Sequence, residues 1–433
     1  MPLRDRIAGL MPRARDDLSE LVAFGPDHAP GSRNTARWVL NRFLELGFRD
    51  SRVEDLPDGS QAVVGSRPAG PDAPTVLLHA DHAVAAVPDD AVWRTPPFRL
   101  TEVHGRWYGR GAAGGRGNIL MHLTALRALG EDLPVHLKVV VGGAGLAKFV
   151  PEHPDLFRAD AVLVGVDGNA GVGRPAVTVS LRGVVELVVS VRALAEGRRA
   201  GAFSGAAPDA LAALVSMLAS LRDARGETTV HGLPHNQVWL GEPYPADRFR
   251  LDAAVPEGVD LLGDGLVADA LWARPALTVL GIDCPADDTA IAPAATAHLA
   301  LHVPPGLDAE LAHTALVDHL HDVAPWGVRV TTRTRRVDRP YRSTVDGSAH
   351  RTVAAAMREV YGTPMTTSGQ GDPLPLCTTL TAVHPDAELV LLGVGEPSSR
   401  VHAPNESLDP GELAAMSQVE ARFLQRFARD GPR

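Results

Sequence analysis

Apolar residues in the first part of the chain form short continuous runs, separated by stretches with helical spacing. The runs at 75–78, 135–141 and 161–166 are typical of buried strands. Helical spacing is found over 32–47 and from 119 to 130, where a glycine favours the end of a helix. Because such strands alternate with helices, the pattern predicts an α/β sheet domain with helices on both faces.

The hydrophobic pattern then changes for about 150 residues and changes back. Within this stretch apolar and polar positions alternate, as over 296–303, where Ala297, Leu299, Leu301 and Val303 share one face. A stretch of this size is large enough for an α+β domain. We therefore predict one discontinuous domain, made of 1–183 and 338–433, with a second domain inserted at 184–337.

Composition and charge exclude several classes of function. The formal net charge is −10 and the pI is about 5.9, which argues against nucleic acid as a partner. No apolar run approaches the roughly 20 residues of a membrane span, and the N-terminus lacks the apolar core of a signal peptide. The only cysteines, Cys284 and Cys377, exclude a disulfide framework, so we expect a cytoplasmic protein.

Two polar residues follow the ends of predicted strands. His79 comes after the run at 75–78, and Asp167 comes after the run at 161–166. Open α/β sheets bind ligands at the carboxyl ends of their strands. His79 and Asp167 are therefore candidate site residues.

Three longer motifs carry a resemblance to a known family. They are TVLLHADHAV at 75–84, GRWYGRGAAGGRG at 105–117 and HAPNE at 402–406. In this order and spacing they resemble the aminoacylase, carboxypeptidase G and carnosine-dipeptidase family of dinuclear zinc exopeptidases, most closely its dipeptidase branch. The resemblance implies a phosphorylase/hydrolase-like sheet domain and an inserted α+β lid or dimerisation domain. It also implies a homodimer formed through that insert.

The resemblance assigns roles to particular residues. His79, Asp167 and His402 match metal ligands of the family, and Asp81 matches the aspartate that orients the first histidine. In such enzymes the zinc ions activate a water, and a glutamate removes its proton. His82 has two readings, a replacement ligand or acid–base group beside His79, or an exposed loop histidine, which we favour.

The same comparison implies losses. Gly114 stands where the family has the aspartate that bridges both metals, and no Asp or Glu occurs over 133–151, where the catalytic and second-metal glutamates belong. Arg199 stands in place of the oxyanion-binding histidine, and His302 in place of an arginine. We keep Arg199 and His302 as candidate substrate-binding residues. The site would hold at most one weakly bound zinc ion, or no metal.

Three functional hypotheses follow. The first is a re-tooled or inactive homologue, with or without metal, that acts on or binds a small peptide-like or amino-acid-like molecule. The second is a mononuclear metallohydrolase that cleaves a peptide or amide bond. The third is a non-catalytic dimer partner of an active paralogue. The joint loss of bridge and base favours the first over the second, and the sequence does not separate the first from the third.

Overall fold

The computed structural model describes residues 1–26, 32–88, 92–131, 133–166, 168–285 and 289–430. The chain forms two compact units. The first unit contains Met1–Val179, Ser343–Ser368 and Pro375–Arg433, and the second contains Ser180–Arg342 and Gly369–Leu374.

The helices and strands are numbered in chain order. The helices are α1 Leu3–Ala23, α2 Ser32–Glu45, α3 Gly115–Leu129, α4 Leu146–Phe149, α5 Pro154–Phe157, α6 Ala200–Phe203, α7 Ala210–Ala219, α8 Ala246–Asp252, α9 Ala309–Asp322, α10 Ser348–Tyr361, α11 Pro375–Val383 and α12 Pro410–Asp430. The strands are β1 Arg52–Asp55, β2 Gln61–Arg67, β3 Thr75–Ala80, β4 Thr101–Val103, β5 Arg106–Tyr108, β6 His136–Val141, β7 Ala161–Gly165, β8 Ala176–Leu181, β9 Gly183–Arg192, β10 Arg198–Arg199, β11 Ala276–Asp283, β12 Ala290–Ile291, β13 Ala294–Val303, β14 Arg329–Asp338, β15 Tyr341–Arg342, β16 Thr366–Gln370, β17 Glu388–Leu392 and β18 Ser407–Leu408. A π-helical turn spans Asp269–Ala273. None of the described helices is long and apolar enough to cross a membrane.

The first unit is built on a mixed sheet, which confirms the predicted α/β class. Its central strands β6, β3, β7 and β17 are parallel neighbours in that order. Strand β2 joins β6, and β8 joins β17, in antiparallel fashion. Every residue of β7 is buried. Since side chains alternate between the two faces of a strand, both faces of the sheet are covered there.

Helix α3 packs into the main core of the first unit. Nearly all of its residues are buried, which is typical of a helix surrounded by protein. It ends at Gly130, whose φ of 70° is readily adopted by a residue without a side chain. The predicted end of this helix is therefore correct, and its beginning at Gly115 places the glycine-rich motif at its N-terminus.

The second unit contains a four-stranded antiparallel sheet with the order β11-β13-β9-β14. Helices α7 and α9 cover one face, and Asp209 and Asp308 cap their N-termini. The alternation predicted for β13 is confirmed, since Leu299 and Leu301 are buried in this core. His298 and His302 are only half-buried and belong to the opposite set of positions.

The division into units differs in detail from the predicted domains. The predicted insert, 184–337, lies inside the second unit, which also takes residues on both sides of it and the separate segment Gly369–Leu374. The backbone N–H of Arg182 donates to the carbonyl oxygen of Gln370, 3.1 Å away. This hydrogen bond links the distant segment to the start of the insert, and no local sequence pattern indicates such a link.

Candidate functional site

The carboxyl ends of β3, β6, β7 and β17 lie at one edge of the sheet, because these strands run in parallel. His79 is the penultimate residue of β3, so the prediction that it follows the strand is wrong. It pairs with Val140 of β6 and Val164 of β7, and only 3% of its surface is exposed. His79 is thus held in the middle of the parallel sheet, with Asp81 as the second residue after it.

Burial determines the protonation state of His79. It lowers the pKa of the imidazole to about 4, and the nearby charge of His122 adds to this effect, while a hydrogen bond with the Gly142 backbone opposes it. The ring is therefore neutral at pH 7. Its Nδ1 atom is buried and makes no hydrogen bond to any residue that the structure describes. A neutral imidazole with an unsatisfied nitrogen is suited to bind a metal ion or a ligand donor.

Two residues that were not predicted as site residues, His122 and Glu420, form a chain of hydrogen bonds with the backbone of His79. The Nε2 atom of His122 is 3.1 Å from the carbonyl oxygen of His79, and its Nδ1 atom is 2.8 Å from Oε2 of Glu420. Burial alone would lower the pKa of His122, but the charge of Glu420 and the hydrogen bond to it outweigh burial and raise the pKa. The only sequence signal was a histidine on the apolar helix α3.

Asp81 is the residue on which the neighbouring loops converge. Its Oδ1 atom accepts a hydrogen bond of 2.7 Å from the backbone N–H of Ala83. A Cβ atom on Gly143 would lie 3.2 Å from the same oxygen, and a Cβ atom on Gly115 would overlap the Asp81 carbonyl oxygen. The glycines after β6 and at the start of α3 therefore allow two backbone segments to approach Asp81 closely.

His82 is buried, with 3% of its surface exposed, so the reading as an exposed loop histidine is wrong. Its Nε2 atom lies 2.7 Å from the carbonyl oxygen of Gln61 on β2. A carbonyl oxygen only accepts, so Nε2 must carry a proton and donate it. His82 thereby fastens the loop after β3 to the adjacent strand β2.

His402 lies beside the glycine that occupies the bridging position. A Cβ atom on Gly114 would be 4.0 Å from Nε2 of His402 and 3.6 Å from Oε1 of Glu406. His402 is exposed and has a φ of 65°, a conformation that few residues other than glycine adopt. The structure thus brings Asp81 and His402 to neighbouring glycines, 115 and 114.

A buried carboxylate holds this glycine-rich loop in place. Glu406 accepts hydrogen bonds from the backbone N–H groups of Gly111, Ala113 and Gly114 at 2.9, 3.1 and 3.1 Å. Nη1 of Arg110 lies 3.8 Å from its Oε2 atom. Charged acceptors form the stronger class of hydrogen bond, so the last residue of HAPNE has a structural role that its sequence position did not reveal.

Three predicted site residues remain, namely Asp167, Arg199 and His302. Asp167 lies outside the described residues. Arg199, on β10, is exposed, and His302, on β13, is half-buried; both belong to the second unit. Burial lowers the pKa of His302, and the positive charge of Arg182 lowers it further.

Two of the three predicted metal ligands, His79 and His402, lie among the described residues. Within those residues, no group of three or more His, Cys, Asp or Glu side chains is placed to hold a metal ion. Gly114 has no side chain to contribute, and the turn after β6 consists of Gly142, Gly143, Ala144 and Gly145. Of the features described above, the unsatisfied Nδ1 atom of His79 is the one that is suited to bind a metal ion.

Comparisons with known proteins agree with this architecture. The model of Peptidase family M20/M25/M40 matches residues 83–426. The chain is 37% identical to a cysteinylglycine-S-conjugate dipeptidase of Corynebacterium striatum, over 96% of each chain. It is 25% identical to the human Beta-Ala-His dipeptidase, over 97% of this chain and 87% of the relative.

Solved structures show the same fold. Human carnosine dipeptidase 1 aligns with a TM-score of 0.83 at 22% identity, over 99% of this chain and 98% of that one. The dipeptidase Dug1p of Saccharomyces cerevisiae aligns with a TM-score of 0.80 at 17% identity, with the same coverage. At these sequence identities, the structural similarity shows only that the fold is shared.

Proposed function

Since the chain belongs to peptidase family M20/M25/M40, we propose that it is a re-tooled member without ordinary two-zinc hydrolysis, which binds a small peptide-like or amino-acid-like molecule. The observation that carries this proposal is the position of Gly114 beside His402. The family resemblance expects a bridging carboxylate at this position. A glycine offers neither metal ion a ligand, and losing a shared ligand weakens both sites at once.

The turn after β6 supports the same proposal. A Cβ atom on Gly145 would overlap the carboxylate of Asp58, and one on Gly143 would press against Asp81. Side-chain atoms of Asp58 and Asp81 therefore occupy the space in which larger side chains of this turn would begin. Loss of a general base typically costs about 100- to 10,000-fold in rate. A glutamate introduced at Gly143 or Gly145 would require these side chains to shift.

We assign the binding of the small molecule to the strand-end residues. The carboxylate of Asp81 supplies negative charge for an ammonium group, and His79 supplies a neutral nitrogen. His82 positions the loop through its bond to Gln61. Within the second unit by itself, Arg199 and His302 remain candidate contacts for a carboxylate. His79, Asp167 and His402 would hold at most one weakly bound zinc ion.

One observation favours the second candidate function, a mononuclear metallohydrolase. The neutral ring of His79 and its buried, unsatisfied Nδ1 are the state in which histidine binds a metal. Relatives are named as metallodipeptidases, among them a Cys-Gly metallodipeptidase of Saccharomyces cerevisiae. The missing bridge and base make this the weaker candidate.

The second unit is the proposed lid or dimerisation domain of a homodimer. Its helix α7 buries Leu214 and Met217 in its own core, so that face is not available to a partner. The edge strand β11 instead exposes Val279, Leu280 and Ile282. An exposed apolar edge strand is suited to pair with another chain, either a second copy or an active paralogue. The free cysteines accord with the proposed cytoplasmic location.

Turnover and binding are measured together to test the proposal. The purified protein is incubated with Cys-Gly and β-Ala-His dipeptides and zinc, cobalt or manganese, and dipeptide binding is measured by calorimetry. We expect binding without hydrolysis, and less than one zinc per chain by elemental analysis. Metal-dependent turnover of about 1–1,000 per second that His79→Ala abolishes would establish the mononuclear hydrolase instead. Absence of both binding and turnover would favour the non-catalytic partner.

A further inference from the structure

A cavity of about 510 Å³ lies inside the second unit. The residues after α7, helix α8, the π-helical turn at 269–273 and the start of β11 form its wall. Cavities that bind small organic molecules measure about 300–1,000 Å³. This cavity is therefore large enough for a ligand, and it shares no residue with the strand-end group around His79.

Most of the cavity wall is apolar. Phe249, Val255 and Leu271 line it together with Val259 and Leu262. Val259 keeps 50% of its surface exposed, and Leu262 keeps 63%. Large apolar side chains that line a cavity and remain this exposed gain free energy when an apolar ligand covers them.

A buried cation lies in the same wall. Arg182 is nine-tenths buried, and within the part of the chain that the structure describes its Nε atom has no hydrogen-bond partner. Burial lowers the pKa of its guanidinium to about 10, although the charge of Asp372 opposes this shift. Because Arg182 lines the cavity, a charged oxygen atom of a ligand bound there could pair with its guanidinium group.

The two other arginines of the wall are already engaged. Arg222 donates to the carbonyl oxygens of Gly226 and Leu277, and Arg274 donates to Glu227. Arg274 also lies 3.8 Å from a carboxylate oxygen of Asp269. Of the three arginines in the wall, Arg182 is therefore the one that we assign to a singly charged anion.

From this arrangement we infer that the cavity binds a small apolar carboxylic acid, with its carboxylate on Arg182 and its apolar body against Phe249, Val259 and Leu271. His302 lies in the same wall and supplies a neutral imidazole beside the cation. The inference goes beyond the proposed function, because it needs neither metal nor the strand-end residues; His302 is the residue that both proposals name. A monoanion pairs with the guanidinium of Arg182, whereas an alcohol lacks the charge and an amine repeats the charge of Arg182.

Calorimetry with three ligands of equal chain length tests the inference. Decanoate, decanol and decylamine, each below its micelle concentration, are titrated into the full chain. We expect decanoate to bind at least about tenfold more tightly than decanol, and decylamine more weakly still. Arg182→Gln should reduce the affinity for decanoate to that for decanol, and Arg182→Lys should restore part of the difference in affinity. Arg329→Gln, an exposed arginine on β14 at the other edge of the sheet, is the matched control and should change nothing.

A second variant covers the case in which Arg182→Gln does not fold. Val259 lines the cavity and is half exposed, so we expect Val259→Trp to fold and to fill part of the cavity; it should weaken decanoate and decanol alike. Equal binding of decanoate and decanol to the unaltered chain, or decanoate binding that both variants leave unchanged, would overturn the inference. Dipeptide binding is measured on the same samples, so failure of the proposed function is seen separately from failure at this cavity.

Discussion

A Cβ atom on Gly114 would lie 4.0 Å from Nε2 of His402. The nearest obstacle to that Cβ is Cγ1 of Val401 at 3.3 Å, which a shift of a few tenths of an ångström relieves. The space at Gly114 therefore has room for a Cβ atom near His402.

Gly114→Asp should therefore raise zinc affinity. The new carboxylate lies next to His402, and even the loss of a residue that supports a metal ligand costs about 10- to 100-fold in affinity. We expect a gain of at least about tenfold in calorimetric zinc titrations. Gly114→Asn has nearly the same shape without the charge and is the control. Equal zinc affinity of both variants would contradict the role that we give to position 114.

The neighbouring glycine should tolerate no side chain. A Cβ atom on Gly115 would overlap the carbonyl oxygen of Asp81, which is backbone and cannot rotate away. Overpacking of this kind costs about 1–3 kcal/mol, so Gly115→Ala should lower the free energy of unfolding by about that amount in urea titrations. Gly9 is an exposed glycine in α1 with nothing within 4 Å of its Cβ position. Gly9→Ala should instead stabilise the protein by about 0.5–1 kcal/mol. If Gly115→Ala left the free energy of unfolding unchanged, α3 would not approach Asp81 this closely.

Much of the fold could be predicted because it follows from local patterns. The end of α3 at Gly130 and the alternation along β13 match the prediction, since each depends on the residue pattern within one segment. The burial of His82 could not be predicted, because its partner, the Gln61 carbonyl, lies on another strand. The role of Glu406 could not be predicted for the same reason. Its carboxylate binds backbone N–H groups that are distant in the sequence, and such contacts produce no periodic pattern of residues.

Stability should depend on pH through His350. Burial lowers its pKa below 6.5, although the carboxylate of Glu388, 3.8 Å from its Nδ1 atom, opposes this effect. Between the two pKa values the unfolded chain binds more protons than the folded chain. The contribution of His350 is therefore fully present above pH 6.5 and is lost as the pH falls toward its folded pKa. Urea titrations at pH 8, 7, 6 and 5 should show a steeper acid loss for the unaltered chain than for His350→Gln. If the free energy of unfolding fell equally with pH in the two proteins, the lowered pKa of His350 would be contradicted.

The last prediction concerns the exposed apolar residues of the second unit. Leu280 on the edge strand β11 has 61% of its surface exposed, and Val215 on α7 has 51% exposed. An edge strand also offers unpaired backbone groups, whereas a helix has satisfied its own. If β11 forms the proposed dimer interface, Leu280→Asp should convert a dimer into a monomer at micromolar concentration, because a charge at the centre of an apolar interface is left without a partner. Val215→Asp introduces the same charge at another half-exposed apolar residue and should remain dimeric. Light scattering after size-exclusion chromatography measures both masses. A monomeric mass for the unaltered chain would contradict the proposed dimer. If Val215→Asp alone caused dissociation, the interface would lie on α7 and not on β11.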